Sequence, residues 1–577
     1  MNSKRKWVGL ALSAALVIGL LAGCSGNNNE GNTGNTGNTG NKGNAENSGN
    51  AEVESLDPIT FSLYGADESP NWQKMQDAVG KEITKATGVT LDGEFAVGDS
   101  SQKISLIAAS GEYPDLISPK GELSKLVEAG AMIDLTDLIE KHAPNIKKLF
   151  GDEMKRLRYS NEDKSIYVIP TYSAVGGGAF ETDGGFKLQH RVLKELGYPK
   201  INTVQDFENA IKAYLEKHPT DENGNPNIGL TLNADDWRIL ISVTNPAFWS
   251  TGAPDDGEYN INIETQEVIY HYRRPEEKEY FRWLNHMYLE GLLDPNSFVQ
   301  KYDQYKAKIA SGRVIGLIDQ VWDYAEAENA LKTEGKFDYG YGRFPVTLSD
   351  EYKDGTLWPS GFMAGWGIGI TVDNPDPVRA IKFLDYLASE QGQILLNWGV
   401  EGQHYNIENG KRVIPQEIND KKKNDPTGFQ KESGIGFYTN FGARYGDGVL
   451  DSSGNYYTTS FPEQIIATQN EVEKETLAAY GVSTWKELFP QPEEFPVRPW
   501  GAAWNITVPA DSETNVLQER MMRDITWKRI PQAILAKAGE FDSIWDKYQK
   551  DLIDAGVEKM EDGYEALVKE RVSLWND

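Results

Sequence analysis

Segments with the spacing of strands and of helices alternate along the chain after residue 57, and this alternation limits the folds that it can adopt. Ile59 to Gly65 is a predicted strand, and the apolar residues from Trp72 to Thr87 recur at helical spacing. The same order returns at Val314 to Asp319, a predicted strand, which precedes a predicted helix from Trp322 to Thr333. Strands separated by helices form parallel or mostly parallel sheets with helices on both faces. The sequence therefore predicts an α/β fold.

The remaining elements follow the same pattern and end in a helical region. Most of the last 70 residues are predicted to be helical, with buried aromatic anchors such as Trp545. The further predicted strands and helices are VTLDGEF, Ser101 to Ser110, PDLISP, Leu123 to Ala129, Gly365 to Thr371 and Pro377 to Ser389.

The first residues have the pattern of an export signal. Lys4, Arg5 and Lys6 precede an uncharged apolar run from Trp7 to Ala22, which is short for a membrane span and typical of a secretory signal. The run ends in Leu-Ala-Gly-Cys, which resembles the bacterial lipobox, so residues 1–23 are a predicted lipoprotein signal peptide and Cys24 the acylated residue. Several acyl chains on one residue anchor a protein where a single chain does not. The alternative is an ordinary signal peptide with an unrelated cysteine.

Residues 24–55 are rich in Gly and Asn and contain almost no apolar side chains. Such a segment cannot bury enough surface to offset its ordering entropy, so we predict a disordered tether. Cys24 is the sole cysteine, and the exported chain therefore depends on its own core without disulfide bonds.

Charge and aromatic content narrow the class of ligand. The net charge of −29 argues against nucleic acid, which requires basic patches, and against broad contact with anionic lipid. The chain contains 15 Trp and 27 Tyr, more than a core alone requires in an exported protein, which indicates flat apolar surface used for binding.

Several motifs, in order along the chain, resemble one family. They are SGEYPDLI, AGAMIDLTDLIEKHAPNI, DKSIYVIP, VLKELGYPKINTVQDFENAIKAY, SGRVIGLIDQVW, FLDYLASEQGQILLNWGVEGQHY and AKAGEFDSIWDKYQKDLIDAGVEK. Together they resemble the extracellular solute-binding proteins of ABC importers, the maltose-binding-protein-like group. The last two resemble the long subgroup that contains the LipO-type lipoproteins and the alginate-oligosaccharide binders.

The resemblance implies a periplasmic-binding-protein type II-like α/β fold. Two α/β lobes are joined by hinge crossings, a ligand cleft lies between them, and the C-terminal region is helical. We expect residues 56–171 plus 368–430 in lobe 1 and residues 172–367 plus 431–577 in lobe 2. Ligands of open α/β sheets bind beyond the carboxyl ends of the strands, which fits such a cleft.

The implied function is capture of an oligosaccharide and its delivery to the membrane subunits of an ABC permease. We expect a monomer, lipid-anchored at the extracellular face of the cell membrane as in Gram-positive bacteria, that binds no nucleic acid and is not an enzyme. No G-x-S-x-G, H-E-x-x-H or phosphate-loop motif is present. A surface-tethered glycoside hydrolase, a carbohydrate-binding sensor or adhesin, and a receptor for a peptide remain alternatives.

Aromatic planes bind the apolar face of a sugar ring, and polar side chains bind its hydroxyl edge. Trp322 stands where a strand meets a helix, a position at which the family has a cleft aromatic. A uronate-bearing sugar would require an Arg or Lys in the cleft, and Arg444 is one conceivable donor. The candidate ligand-binding residues are Trp322, Trp366, Tyr172, Trp249 (in a predicted loop), Tyr405, His404, Trp504, Glu401, Asp319 and Arg444.

A calcium loop is a weak candidate at DENGNPN. Its oxygen-bearing side chains alternate at Asp221, Asn223, Asn225 and Asn227, similar to a loop of the alginate binders. Pro226 stands where the sharp turn of a calcium loop requires glycine, and Leu232 stands where it requires glutamate. A plain polar turn is the favoured interpretation, so no cofactor is expected, with calcium as the alternative. The six His residues are scattered singly and indicate no zinc site.

Overall fold

The computed structural model describes residues 57–576. The predicted signal peptide, Cys24 and the predicted tether lie outside the described residues. None of the helices between residues 57 and 576 combines the length and the apolar character needed to span a bilayer.

Strands in the described residues are short, and most belong to two sheets. They are β1 (Ile59–Gly65), β2 (Val89–Phe95), β3 (Leu116–Ser118), β4 (Ile169–Pro170), β5 (Ala174–Val175), β6 (Phe186–Gln189), β7 (Ile228–Thr231), β8 (Tyr259–Ile261), β9 (Val268–Tyr270), β10 (Val314–Ile318), β11 (Tyr341–Phe344), β12 (Gly367–Ile370), β13 (Asn406–Glu408), β14 (Lys411–Val413) and β15 (Arg444–Tyr445).

Helices cover both sheets and make up most of the C-terminal part. Within residues 57–576 the α-helices are α1 (Ala78–Thr87), α2 (Ser100–Ser110), α3 (Leu123–Glu128), α4 (Thr136–His142), α5 (Pro144–Phe150), α6 (His190–Glu195), α7 (Val204–Lys217), α8 (Pro246–Ser250), α9 (Pro275–Leu289), α10 (Tyr302–Ala310), α11 (Val321–Thr333), α12 (Pro377–Ala388), α13 (Glu390–Trp398), α14 (Gln416–Asn424), α15 (Pro426–Ser433), α16 (Pro462–Thr468), α17 (Glu471–Tyr480), α18 (Glu513–Glu519), α19 (Trp527–Ile534), α20 (Phe541–Ala555) and α21 (Val557–Asn576).

The first sheet has the strand order β2-β1-β3-β12-β4, and the second has the order β11-β6-β10-β7. Strands β1, β2 and β3 are parallel, as are β7 and β10. Strand β12 is antiparallel to both of its neighbours, and so is β6. The chain leaves the first sheet after β4 and re-enters it in β12, so these two strands run in opposite directions. The expected mostly parallel arrangement therefore holds only where helices connect successive strands.

Each sheet has its own hydrophobic core, and we call the regions around these cores the first lobe and the second lobe. Phe61, Ile146 and Leu384 are buried in the first core. This core also includes Tyr438 and Phe441, which follow residue 430, where we expected the first lobe to end.

The C-terminal helices belong to the second lobe. Trp545 and Leu552 of α20 are buried in the same core as Phe186 of the second sheet and Phe281 of α9. The second lobe therefore carries its own sheet and, in addition, the layer of helices that the sequence predicts for the C-terminal region.

Three segments cross between the lobes: residues 171–185, residues 345–366 and the chain that follows β15. They lie side by side, because the Thr171 backbone N–H donates to the Trp366 carbonyl (3.3 Å) and β5 pairs with β15. A further connection is made by residues 401–433, which we call the bridging segment. It contains β13, β14, α14 and α15, and its two helices lie against α11 of the second lobe, while α15 also lies against α1 of the first lobe.

Helix α1 is shorter than predicted. It begins at Ala78 because the Asp77 carboxylate accepts a hydrogen bond from the Gly80 N–H (2.7 Å) and so caps the first turn. Lys74 and Met75 have φ of 51° and 55°, in the left-handed region, which ends any helix that starts at Trp72.

Candidate functional site

Aromatic residues from two crossings and from the second lobe meet in one cluster. Tyr172 follows β4 and Trp366 precedes β12, and their ring centroids lie 5.5 Å apart with an interplanar angle of 83°. Trp504 packs edge-on against Trp366 at 4.7 Å. All three side chains are partly exposed. The hinge region therefore offers aromatic surface to a ligand.

A second aromatic surface comes from the second lobe. Trp322 stands in the first turn of α11, immediately beyond the carboxyl end of β10, and 52% of its surface is exposed. Its ring stacks on that of Trp237 with centroids 6.0 Å apart and an interplanar angle of 22°. Such stacked and exposed rings form the flat apolar platform that a sugar face requires.

Lys120 joins the two aromatic surfaces. This residue follows β3 in the first lobe, and its ammonium lies 5.5 Å from the ring centroid of Tyr172, 5.4 Å from that of Trp366 and 5.7 Å from that of Trp237. It forms an ion pair with Asp67, which also accepts a hydrogen bond from the Tyr172 hydroxyl. Because Trp237 belongs to the second lobe, these contacts place the site between the two lobes.

Arg238 supplies the polar edge on the side of the second lobe. Its Nε donates to Asp323 Oδ1 (3.0 Å), and its guanidinium lies 3.6 Å from the ring centroid of Tyr302. Its Nη2 also reaches Glu68 Oε1 of the first lobe (3.6 Å). Burial raises the pKa of the Asp323 carboxyl, and the Arg238 charge opposes that rise. Together with the residues above, these form the cleft cluster: Asp67, Glu68, Lys120, Tyr172, Trp237, Arg238, Trp322, Trp366 and Trp504.

Arg444 contacts the backbone of the cleft cluster. Its Nη2 donates to the carbonyl oxygen of Tyr172 (3.3 Å), which holds the backbone that carries this ring. Burial lowers the pKa of the Arg444 guanidinium, and Asp447 opposes that shift. Its Nε has no hydrogen-bond partner among the described residues, and the expected contact between Arg444 and a uronate stays a prediction.

Asp319 lies beneath the cleft cluster rather than in it. Its side chain is fully buried and accepts a hydrogen bond from the Tyr305 hydroxyl, while its carbonyl accepts one from Lys187 Nζ (2.6 Å). Burial and the neighbouring Asp323 raise the pKa of the Asp319 carboxyl well above its ordinary value. A carboxyl so enclosed does not reach a ligand hydroxyl, in contrast to our expectation for this residue.

Trp249 does not lie in the expected loop. It belongs to α8, which starts at Pro246, and only 4% of its surface is exposed. It forms a small core with Phe248 and Ala253. The ring therefore stabilises the second lobe instead of facing the cleft.

The candidate residues that follow α13 pack at the start of the bridging segment, against the end of α13 and the turn after it. His404 and Tyr405 are buried, and His404 Nδ1 accepts a hydrogen bond from the Val400 N–H (3.0 Å). Tyr405 packs edge-on against Trp398 at 5.8 Å. Glu401 is exposed in the same turn. The structure therefore does not bring these three candidates to the cleft cluster.

The loop at residues 221–227 uses its polar groups internally. Asp221 Oδ1 accepts from the N–H groups of Asn223 (2.9 Å) and Asn225 (2.8 Å), and the Asn227 amide donates to the His218 carbonyl. Hydrogen bonds from Asn225 lower the pKa of the Asp221 carboxyl. Among residues 57–576, no three His, Cys, Asp or Glu side chains are grouped so that they could hold a metal ion.

Five residues of the cleft cluster were missed in the sequence: Asp67, Glu68, Lys120, Trp237 and Arg238. The signal for three of them was present, because Asp67 and Glu68 follow β1 and Lys120 follows β3. Ligands lie beyond the carboxyl ends of parallel strands. Trp237 and Arg238 follow β7, a strand that we did not predict.

A family model described as bacterial extracellular solute-binding protein matches residues 78–398, more than half of the chain. The chain belongs to the bacterial extracellular solute-binding proteins. This solute-binding protein is 22% identical to lipoprotein LipO of Bacillus subtilis (strain 168) over 426 residues, which cover 71% of this chain and 75% of LipO.

Solved structures share the fold of this solute-binding protein. The substrate-binding protein FusA of S. pneumoniae in complex with kestose matches with a TM-score of 0.63 at 18% identity and covers 89% of this chain and 99% of its own. The alginate-binding protein AlgQ2 without calcium ion matches with a TM-score of 0.61 at 19% identity and covers 90% of this chain and 98% of its own. These matches confirm the predicted type II periplasmic-binding-protein-like fold.

Proposed function

We propose that this solute-binding protein captures an oligosaccharide between its two lobes and delivers it to the membrane subunits of an ABC importer. The observation that carries the proposal is the pair of aromatic surfaces that face one cleft. Trp322, Trp237 and Trp504 come from the second lobe, and Trp366 and Tyr172 come from the crossings. Rings in this arrangement match the apolar faces of successive sugar units, and the charged groups beside them match hydroxyl edges.

Proteins of similar fold support this choice of ligand class. FusA is a fructooligosaccharide ABC transporter substrate-binding protein, and its solved structure holds kestose. AlgQ2 is an alginate-binding protein, and NgtS of Streptococcus pneumoniae is an N-glycan transport solute-binding protein.

Titration against a glycan panel tests the proposal. The panel contains the neutral trisaccharides kestose, maltotriose, cellotriose and mannotriose, and the acidic trimannuronate. Saturable heat in calorimetry, together with a change of tryptophan fluorescence, is the expected result for at least one member. An absence of binding to every member, in protein that melts cooperatively, would contradict the proposal.

We propose that the protein binds its ligand without changing it chemically. Asp67 is engaged by Lys120 and Tyr172, and Asp323 by Arg238, so neither is placed as a free general acid. Incubation with the bound glycan should release no reducing ends over hours. New reducing ends would instead favour the alternative of a tethered glycoside hydrolase.

The proposed location is the outer face of the cell membrane, with a lipid anchor on Cys24. The lipobox-like sequence before this cysteine supports the proposal. Cells that express Cys24→Ser should release the protein into the medium and should incorporate no labelled palmitate into it, whereas the wild-type protein should stay with the membrane. We also propose that the protein acts as a monomer, which light scattering of the purified protein tests.

A further inference from the structure

Lys120 occupies an unusual position for a surface lysine. Its ammonium lies within 5.7 Å of the centroids of three aromatic rings, those of Tyr172, Trp237 and Trp366, beside the Asp67 carboxylate. Rings and a carboxylate that surround an ammonium form the aromatic cage by which proteins bind organic cations. In this protein the bound cation is one of its own side chains.

The backbone at Lys120 is strained. Its φ is 50°, in the left-handed region that few residues other than glycine adopt. Such strain persists only where the surrounding structure enforces it, and it concentrates at ligand sites.

The charges of the cleft cluster are matched in pairs. Lys120 is paired with Asp67, and Arg238 is paired with Asp323 and approaches Glu68. Arg444 lies behind the Tyr172 backbone. Both cations, Lys120 and Arg238, are already paired and offer no free charge to an acidic sugar. The additional negative charge of Glu68 disfavours an acidic sugar as well. The cluster therefore favours an uncharged ligand.

We propose that the Lys120 ammonium is an internal competitor for the aromatic surface and that a neutral sugar ring binds by displacing it. The inference rests on the proposed function, because it concerns how the same cleft takes an oligosaccharide. A sugar ring that stacks on Trp366 or Trp237 requires the faces that Lys120 covers. The displaced ammonium moves out towards water, and the net gain on binding is reduced by the contacts with the rings and with Asp67 that it gives up. Lys120 thus sets the affinity and favours ligands that stack on more than one ring.

Calorimetry with the neutral trisaccharide that binds wild-type protein best tests this inference. Lys120→Ala should lower the dissociation constant by about 10-fold, within the range expected for loss of a cation–π contact. Lys120→Arg keeps a cation over the rings, and its dissociation constant should stay closer to the wild-type value than that of Lys120→Ala.

Lys125→Ala is the matched control. Lys125 stands one turn further along, pairs with Glu122 and donates to the hydroxyls of Ser101 and Ser105, away from the rings. This variant should bind as the wild type does. A second readout is salt: raising KCl from about 50 to about 500 mM should tighten binding to the wild type by roughly 2-fold and should leave Lys120→Ala unchanged, because screening weakens the competing contacts.

The outcomes separate the two proposals. Weaker or unchanged binding by Lys120→Ala overturns the competitor role, and weaker binding would make Lys120 a donor to the ligand. Tighter binding of trimannuronate than of every neutral trisaccharide would also overturn it. Wild-type protein that binds no panel member overturns the proposed function itself, and this inference with it.

Discussion

Glu68 and Arg238 approach each other across the cleft, with 3.6 Å between Glu68 Oε1 of the first lobe and Arg238 Nη2 of the second. The Glu68 side chain is 43% exposed, and that of Arg238 is 11% exposed. The two partners are therefore unequal: water screens the contact of Glu68, whereas Arg238 also holds the buried Asp323. Arg238 therefore links Glu68 of the first lobe to the buried Asp323 of the second lobe.

Glu68→Gln should have a small effect, because an exposed ion pair contributes about 0–1 kcal/mol. We expect ligand affinity to change no more than about 3-fold and the melting temperature to stay within about 2 °C. Calorimetry and thermal unfolding check both values. A loss of binding above about 30-fold would show that Glu68 contacts the ligand directly.

Arg238→Met should be far more disruptive than Glu68→Gln. It leaves the Asp323 carboxyl buried without its cation, which typically costs about 3–5 kcal/mol. Chemical denaturation at pH 7.5 measures this loss. The double variant Arg238→Met with Asp323→Asn should recover part of the stability, and no recovery would show that the guanidinium stabilises the protein mainly by packing on Tyr302.

Trp322→Ala should fold normally and bind weakly. More than half of the ring surface is exposed, so its removal costs little core packing, whereas a stacking platform for the sugar is lost. We expect ligand affinity to fall by about 10-fold or more. Trp527→Ala is the control. Trp527 is also a partly exposed tryptophan of the second lobe, but it packs on the core of that lobe and not in the cleft cluster. Equal affinities for the wild type and Trp322→Ala would remove Trp322 from the site.

Asp354 makes stability depend on pH. Burial raises the pKa of its carboxyl to about 7, and its Oδ2 has no hydrogen-bond partner among the described residues. The folded protein therefore holds a proton that the unfolded chain releases near pH 4, and stability falls as the pH rises from about 4 to about 7. Asp354→Asn should flatten this decline and raise stability at pH 8 by about 2 kcal/mol, since an amide can still accept from the Thr356 N–H. Unfolding curves at pH 5 and pH 8 provide the measurement, and an unchanged slope would contradict the assignment.

Calcium should have no effect on stability. Asp221 already accepts hydrogen bonds from its own loop, and Pro226 and Leu232 replace residues that a calcium loop needs. The melting temperatures in about 5 mM CaCl2 and in about 5 mM EDTA should agree within about 1 °C. A ligand at about 1,000 times its dissociation constant would add about 4 kcal/mol, so a calcium-dependent increase would establish a site.

Part of the site could be predicted because some aromatic residues have positions that local sequence decides. Trp322 follows a buried strand and opens a helix, and Trp366 stands between glycines before a strand, so both lie at strand ends in any sheet that these segments form. Trp249 and Tyr405 carry the same chemistry, but Trp249 is buried with Phe248 and Ala253 and Tyr405 packs on Trp398, and no local pattern predicts either burial. Lys120 was missed for a related reason: its cage consists of residues 52, 117 and 246 positions away, and only the strand order brings them together.

The bridging segment has a consequence for how the cleft opens. Residues 401–433 contact both α1 of the first lobe and α11 of the second lobe. When the two lobes move apart, the contact of α14 and α15 with α11 or that of α15 with α1 must therefore break. The bridging segment therefore resists rotation of the lobes about the crossings. A large rotation requires α14 and α15 to move together with one of the lobes.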